Sequence, residues 1–170
     1  MLQDRIEGKW IDVFIEVFRN CGVGEGDVVA LLAETQSRPL NVHLAELALH
    51  QLGTRVFRIT MPTPRQTAPV PVRSTGASDA LQGIGPVVQA LASSTLVVDC
   101  TVEGLLHAPE LPDILKGGAR MLMVSNEHPE ALERTVPTPE LQAKVKLAAK
   151  RAKAASEMRV TSAAGTDLTI

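Results

Sequence analysis

Asp99, Thr101, Glu103 and His107 are polar residues gathered within residues 94–109, and His107 is the one among them that can exchange a proton near neutral pH. Two roles are open to His107. It either transfers a proton to a bound molecule or bonds a neighbour such as Glu103 and holds the turn. Leu96, Val97 and Val98 precede these residues as a short apolar run. Such a run reads as a strand buried on both faces, and the carboxyl end of a parallel strand is where open α/β sheets place their sites. Gly104 allows the backbone to bend sharply just before Leu105, Leu106 and His107.

The other candidate residues carry weaker chemistry. His43, Glu46 and His50 share one face of a predicted helix. His43 and His50 are two turns apart, about 10 Å by helix rise, too far to share one ion directly. They read as a solvated or pairing face. His128 precedes Pro129, which holds it extended and points to a structural role. Cys21 and Cys100 have no histidine at zinc spacing, so they read as reduced thiols of a cytoplasmic protein. Gly22, Gly24 and Gly26 follow a helical pattern and precede a strand. A dinucleotide fingerprint needs the reverse order, so they read as a turn.

The elements that must position these residues alternate. A helix is predicted over 2–21, from the spacing of Ile6, Trp10, Val13, Phe14, Val17 and Phe18. Apolar runs predict strands over 28–32, 56–59, 96–98 and 121–124. A helix runs from Ser37, its expected N-cap, to about Leu52, with Pro39 in the first turn and Gly53 as its stop. Pro62, Pro64, Pro69 and Pro71 make 61–76 a long extended connection, of the kind that is commonly functional. Helices are expected over 79–93, with a break at 83–86, and over 111–115, 130–134 and 138–158. The last carries Lys144, Lys146, Lys150, Arg151 and Lys153, which read as a solvated face. The end of the chain reads as a strand, a turn and the start of a second strand, as if cut within a strand. An N-terminal α/β domain is expected over 1–157 and the start of a further domain over 158–170.

Composition bounds the function. The chain has 170 residues, 45% of them hydrophobic, enough for a real core. With 2% aromatics and a net charge of −2 it offers neither a base-stacking platform nor attraction to phosphate backbones, so nucleic acid is excluded as a partner. No apolar run reaches the length of a membrane span, and a membrane is excluded likewise.

Three stretches, taken together and in order, carry a resemblance. They are residues 98–111 (Val-Asp-Cys-Thr-Val-Glu-Gly-Leu-Leu-His-Ala-Pro-Glu-Leu), 126–134 (Asn-Glu-His-Pro-Glu-Ala-Leu-Glu-Arg) and 159–169 (Arg-Val-Thr-Ser-Ala-Ala-Gly-Thr-Asp-Leu-Thr). The chain resembles, over essentially its whole length, the N-terminal half of bacterial 2,5-dihydroxypyridine 5,6-dioxygenases, which share a superfamily with the thermophilic metallo-aminopeptidases. The resemblance and the alternating elements imply a three-layer, Rossmann-like α/β domain with a mainly parallel sheet. The resemblance further implies ring cleavage of 2,5-dihydroxypyridine by dioxygen in nicotinate and nicotine breakdown. The cofactor would be a non-haem Fe(II) held by two histidines and an aspartate of the other half. No metal ligand is therefore expected in this chain, which would be inactive without that half and would form a homo-oligomer. His107 is expected as the catalytic proton carrier and Leu106 as a substrate contact. The alternatives are the N-terminal domain of a metallo-aminopeptidase and a non-catalytic binding or interaction domain.

Overall fold

The computed structural model describes residues 5–65, 76–124 and 126–170. The polypeptide forms two compact units, Met1–Val136 and Pro137–Ile170.

The first unit holds α1 (Gly8–Asn20), β1 (Val28–Glu34), α2 (Pro39–Gln51), β2 (Arg55–Met61), α3 (Gly85–Ala92), β3 (Leu96–Cys100), α4 (Leu111–Lys116), β4 (Arg120–Met123) and α5 (Glu130–Arg134). Its four strands form one sheet in the order β2-β1-β3-β4. All neighbours are parallel, so each crossover must carry a helix across a face of the sheet. Crossovers in parallel sheets are right-handed. The step from β1 to β2 and the steps from β2 to β3 and β3 to β4 run in opposite directions. Their helices therefore lie on opposite faces, and the chain reverses between β1 and β3.

The alternation of side chains along β1 separates the two faces. Val29, Leu31 and Ala33 pack with Trp10, Phe14 and Phe18 of α1 and with Leu44, Ala45, Ala48 and Leu49 of α2. Ala30 and Leu32 pack on the other side with Leu81, Leu91 of α3, Leu105 and Ile114 of α4. This is the expected three-layer architecture. Phe14 and Phe18 meet edge to face at 6.0 Å. Truncating a fully buried ring such as Phe18 costs about 3–5 kcal/mol.

Several boundaries differ from the sequence reading. The first helix starts at Gly8 rather than near residue 2, and residues 1–4 lie outside the described residues. It ends at Cys21, where Gly22 takes φ 71°. There the Arg120 guanidinium donates to the carbonyls of Cys21 and Gly22, tying the start of β4 to the end of α1. Ser37 is not the cap of α2. Arg38 holds that position, and the Ser37 hydroxyl accepts from the Glu34 amide and donates to the Cys100 carbonyl instead. The helix expected over 79–93 is regular only over α3, because Gly83, at φ 73°, turns the chain before it. Most of the connection expected over 61–76 lies outside the described residues, but Thr63 is held to β1: its amide donates to the Thr35 hydroxyl, and its own hydroxyl accepts from the Gln36 amide.

The second unit holds α6 (Pro139–Ala154), β5 (Arg159–Thr161) and β6 (Asp167–Thr169). Thr138 caps α6 by accepting from the Leu141 amide, as its sequence position predicts. The helix stops at Ala154, short of Met158, and none of its residues is buried. β5 and β6 pair antiparallel across the turn at Gly165, with Arg159 bidentate on Asp167.

Candidate functional site

The site is built on the reversal between β1 and β3. At such a point the loops leaving the strand ends diverge and open a crevice. β3 ends in a cage. Asp99 is fully buried. Its Oδ1 accepts from the Thr101 amide at 2.9 Å and from the Thr101 hydroxyl at 2.6 Å, and its Oδ2 accepts from the Leu105 amide at 2.7 Å. The Thr101 hydroxyl in turn accepts from the Gly104 amide. Burial raises the Asp99 carboxyl above its ordinary range, opposed by the bonds from Thr101 and Leu105. Both carboxylate oxygens of Asp99 are therefore engaged in folding the turn.

The turn throws two side chains outward. Leu105 is fully buried, whereas Leu106 is 58% exposed and His107 beside it is also exposed. An aliphatic face next to an imidazole, both open to solvent on a turn fixed from beneath, can receive a flat apolar ring and exchange a proton with its substituents. Met123, at the end of β4, is partly exposed as well and lays its sulfur against Gly104.

A second segment flanks the turn. The Gly76 amide donates to the Glu103 carbonyl, the His107 amide to the Gly76 carbonyl, and the Ser78 amide to the Gly104 carbonyl. Gly76 has φ 72°, and a Cβ there would lie 3.1 Å from Leu106 Cβ and 3.2 Å from His107 Cδ2. Only glycine lets the backbone pass so close under the Leu106–His107 pair. Ser78 is buried, and its hydroxyl donates to Glu34 Oε1 at 2.7 Å. Glu34 ends β1 and is 4% exposed, and its Oε2 is enclosed with no hydrogen-bond partner among the described residues. Sequence reading placed Glu34 at a strand end but not in this arrangement. The available signal was alternation, because Glu34 continues the face of Ala30 and Leu32. Asp99 pairs with Leu32 across the sheet, which puts both carboxylates on one face.

The remaining candidates lie elsewhere. His43 and His50 are exposed on α2, and Glu46 reaches Arg58 of β2 at 3.9 Å. His128 packs edge to face on Trp10 at 5.1 Å, and Trp10 Nε1 donates to Glu133 of α5. That is a structural use of His128. His128 and Met123 also line a cavity of about 210 Å³ with Phe14 and Leu132. Cys100 is buried and its thiol is pushed far up by burial and then by Asp99. Among the described residues no three of His, Cys, Asp or Glu gather in a group that could hold a metal ion. Among them, too, no helix is long and apolar enough to cross a membrane.

Comparison with known proteins converges on one group. A family model described as 2,5-dihydroxypyridine 5,6-dioxygenase matches residues 9–170. The 2,5-dihydroxypyridine 5,6-dioxygenase of Pseudomonas putida is 33% identical over 157 residues, covering 91% of this chain and 44% of that protein. The solved structure of the 2,5-dihydroxypyridine dioxygenase from Pseudomonas putida KT2440 superposes with a TM-score of 0.83 at 33% identity, over 94% of this chain and 46% of that one. The chain thus spans less than half the length of the relatives it matches.

Proposed function

The chain belongs to the 2,5-dihydroxypyridine 5,6-dioxygenase family, and from that premise we propose that it is the N-terminal part of an enzyme that opens a dihydroxypyridine ring with dioxygen. Within it, His107 is the proton-transfer residue and Leu106 packs on the face of the ring. The observation that carries this reading is the exposed Leu106–His107 pair on a turn that a buried carboxylate holds rigid at the end of a central strand.

The share of the chemistry that falls to this chain is binding and proton movement. A ring hydroxyl is a weak acid, and an imidazole nitrogen at hydrogen-bond distance takes its proton and later returns it. Leu106 offers apolar surface to the ring, whose burial contributes about 25 cal/mol per Å². The proposed cofactor of the whole enzyme is Fe(II), which supplies oxygen chemistry when bound. Its ligands are proposed to come from outside this chain. The chain alone is accordingly proposed to be inactive. Exposed apolar side chains on the second unit, among them Leu141, Val145 and Leu168, support self-association. Two free thiols support a cytoplasmic setting.

The test is H107A in the enzyme of full family length. Turnover of 2,5-dihydroxypyridine is expected to fall about 10²–10⁴-fold, the range of general acid–base groups, with iron content and circular dichroism unchanged. Turnover within a few fold of the parent, on a protein of reduced stability, would assign His107 to holding the turn.

A further inference from the structure

We propose that Glu34 is a positioning residue for His107, acting through Ser78. This rests on the reading of His107 as the proton-transfer residue. The segment from Gly76 to Ser78 is the backbone against which the His107 turn is aligned, by three amide-to-carbonyl bonds to Glu103, Gly104 and His107. None of those bonds attaches the segment to the sheet. The Ser78 hydroxyl does, through its bond to Glu34 Oε1 at 2.7 Å. Both side chains are more than nine-tenths buried, so the bond is shielded from competing water. Asp99 fixes the turn from β3 and Glu34 fixes its flanking segment from β1, so the Leu106–His107 pair is referenced to both strands at the chain reversal.

The cost of the arrangement supports its purpose. An enclosed carboxylate normally has both oxygens paired. Glu34 keeps one oxygen without a hydrogen-bond partner among the described residues, at a position where an apolar side chain would continue the Ala30–Leu32 face. An apolar residue could not accept from Ser78. Asp99 ties the turn to β3, and the side-chain latch ties the segment paired with that turn to β1 as well.

The experiment reads the four histidine rings of this chain by ¹H–¹³C NMR at the Cε1 position, with His43 and His50, exposed on α2, as internal references. S78A is expected to displace or broaden the His107 cross-peak while the His43 and His50 peaks stay in place. E34A is expected to do the same, and the double variant to add nothing further, as for two halves of one contact. E34Q, whose side-chain carbonyl still accepts from Ser78, should restore the parent position. An unmoved His107 peak in folded S78A would overturn the proposal, and so would a common displacement of all four peaks. S78A decides alone if E34A does not fold. Because the readout is spectroscopic, it stands apart from H107A turnover. A moved peak with normal H107A turnover would sink the catalytic reading and leave the latch standing.

Discussion

Gly104 and Met123 approach so closely that a Cβ on Gly104 would collide with the Met123 sulfur. The contact joins the turn after β3 to the end of β4, and it leaves room for hydrogen only. Gly104 also takes φ 79°, a conformation that costs an L-residue about 1–2 kcal/mol. G104A is therefore expected to lower stability by about 1–2 kcal/mol from that strain, plus the cost of displacing Met123, in urea unfolding. Adding M123A should recover only the steric part, because the backbone strain remains. A G104A variant as stable as the parent would show that the turn relaxes freely.

D99N tests the cage beneath the site. One oxygen becomes an amide donor facing the amides of Thr101 or Leu105, and the expected loss is about 1–3 kcal/mol. The pH dependence has a definite sign. Burial raises the Asp99 carboxyl in the folded chain, so on raising the pH the unfolded chain gives up its proton first. The stability carried by protonated Asp99 is full below the ordinary carboxylate range and drains as the pH climbs through the raised value. The penalty of D99N should accordingly be largest in acid and shrink with rising pH. Urea midpoints of both proteins across the acid range check this, and a penalty growing with pH would contradict it.

L106A separates a surface for binding from a surface for folding. Leu106 is mostly exposed, so the thermal midpoint should stay within the equivalent of about 0.5 kcal/mol. In the enzyme of full family length the same change should weaken binding of 2,5-dihydroxypyridine by about 1 kcal/mol, from lost apolar contact. Unchanged affinity by calorimetry would remove Leu106 from the ring face.

The two thiols should react in sequence. Burial pushes the Cys21 thiol up and the nearby Arg120 charge partly offsets it. Burial and the Asp99 charge both push the Cys100 thiol up. Iodoacetamide is expected to modify Cys21 first, and Cys100 only at the rate at which the chain opens. Mass spectrometry of the peptides over time distinguishes the two, and early labelling at Cys100 would contradict its burial.

The strands were legible because their apolar runs are short and bounded, so Val28, Val56, Leu96 and Met121 all fall inside strands that pair in parallel. The position of His107 after a central strand was legible for the same reason. What sequence could not reveal was how the polar residues divide between solvent and interior. Asp99 looks like a contact group until Thr101 and Leu105 are seen folding back onto it. Ser37 looks like a helix cap until its hydroxyl is found bridging β1 and β3. Glu34 and Ser78 are far apart in the chain, and no periodicity links them. Each case is a hydrogen bond decided by tertiary neighbours, to which local pattern is blind. Leu141 and Val145 of α6 show the converse, apolar side chains at helical spacing that are exposed.

Glu34 is the last residue of β1 and Thr35 the next in the chain, and each fastens one end of the same connection, Thr35 through Thr63 and Glu34 through Ser78. The connection therefore leaves and rejoins the sheet at a single point, like a thread knotted at one post. Lengthening a loop whose ends are already fixed costs little, about 0.6 kcal/mol for each doubling. A change in chain length between the two fastenings is thus expected to leave the imidazole beside Gly76 where it is.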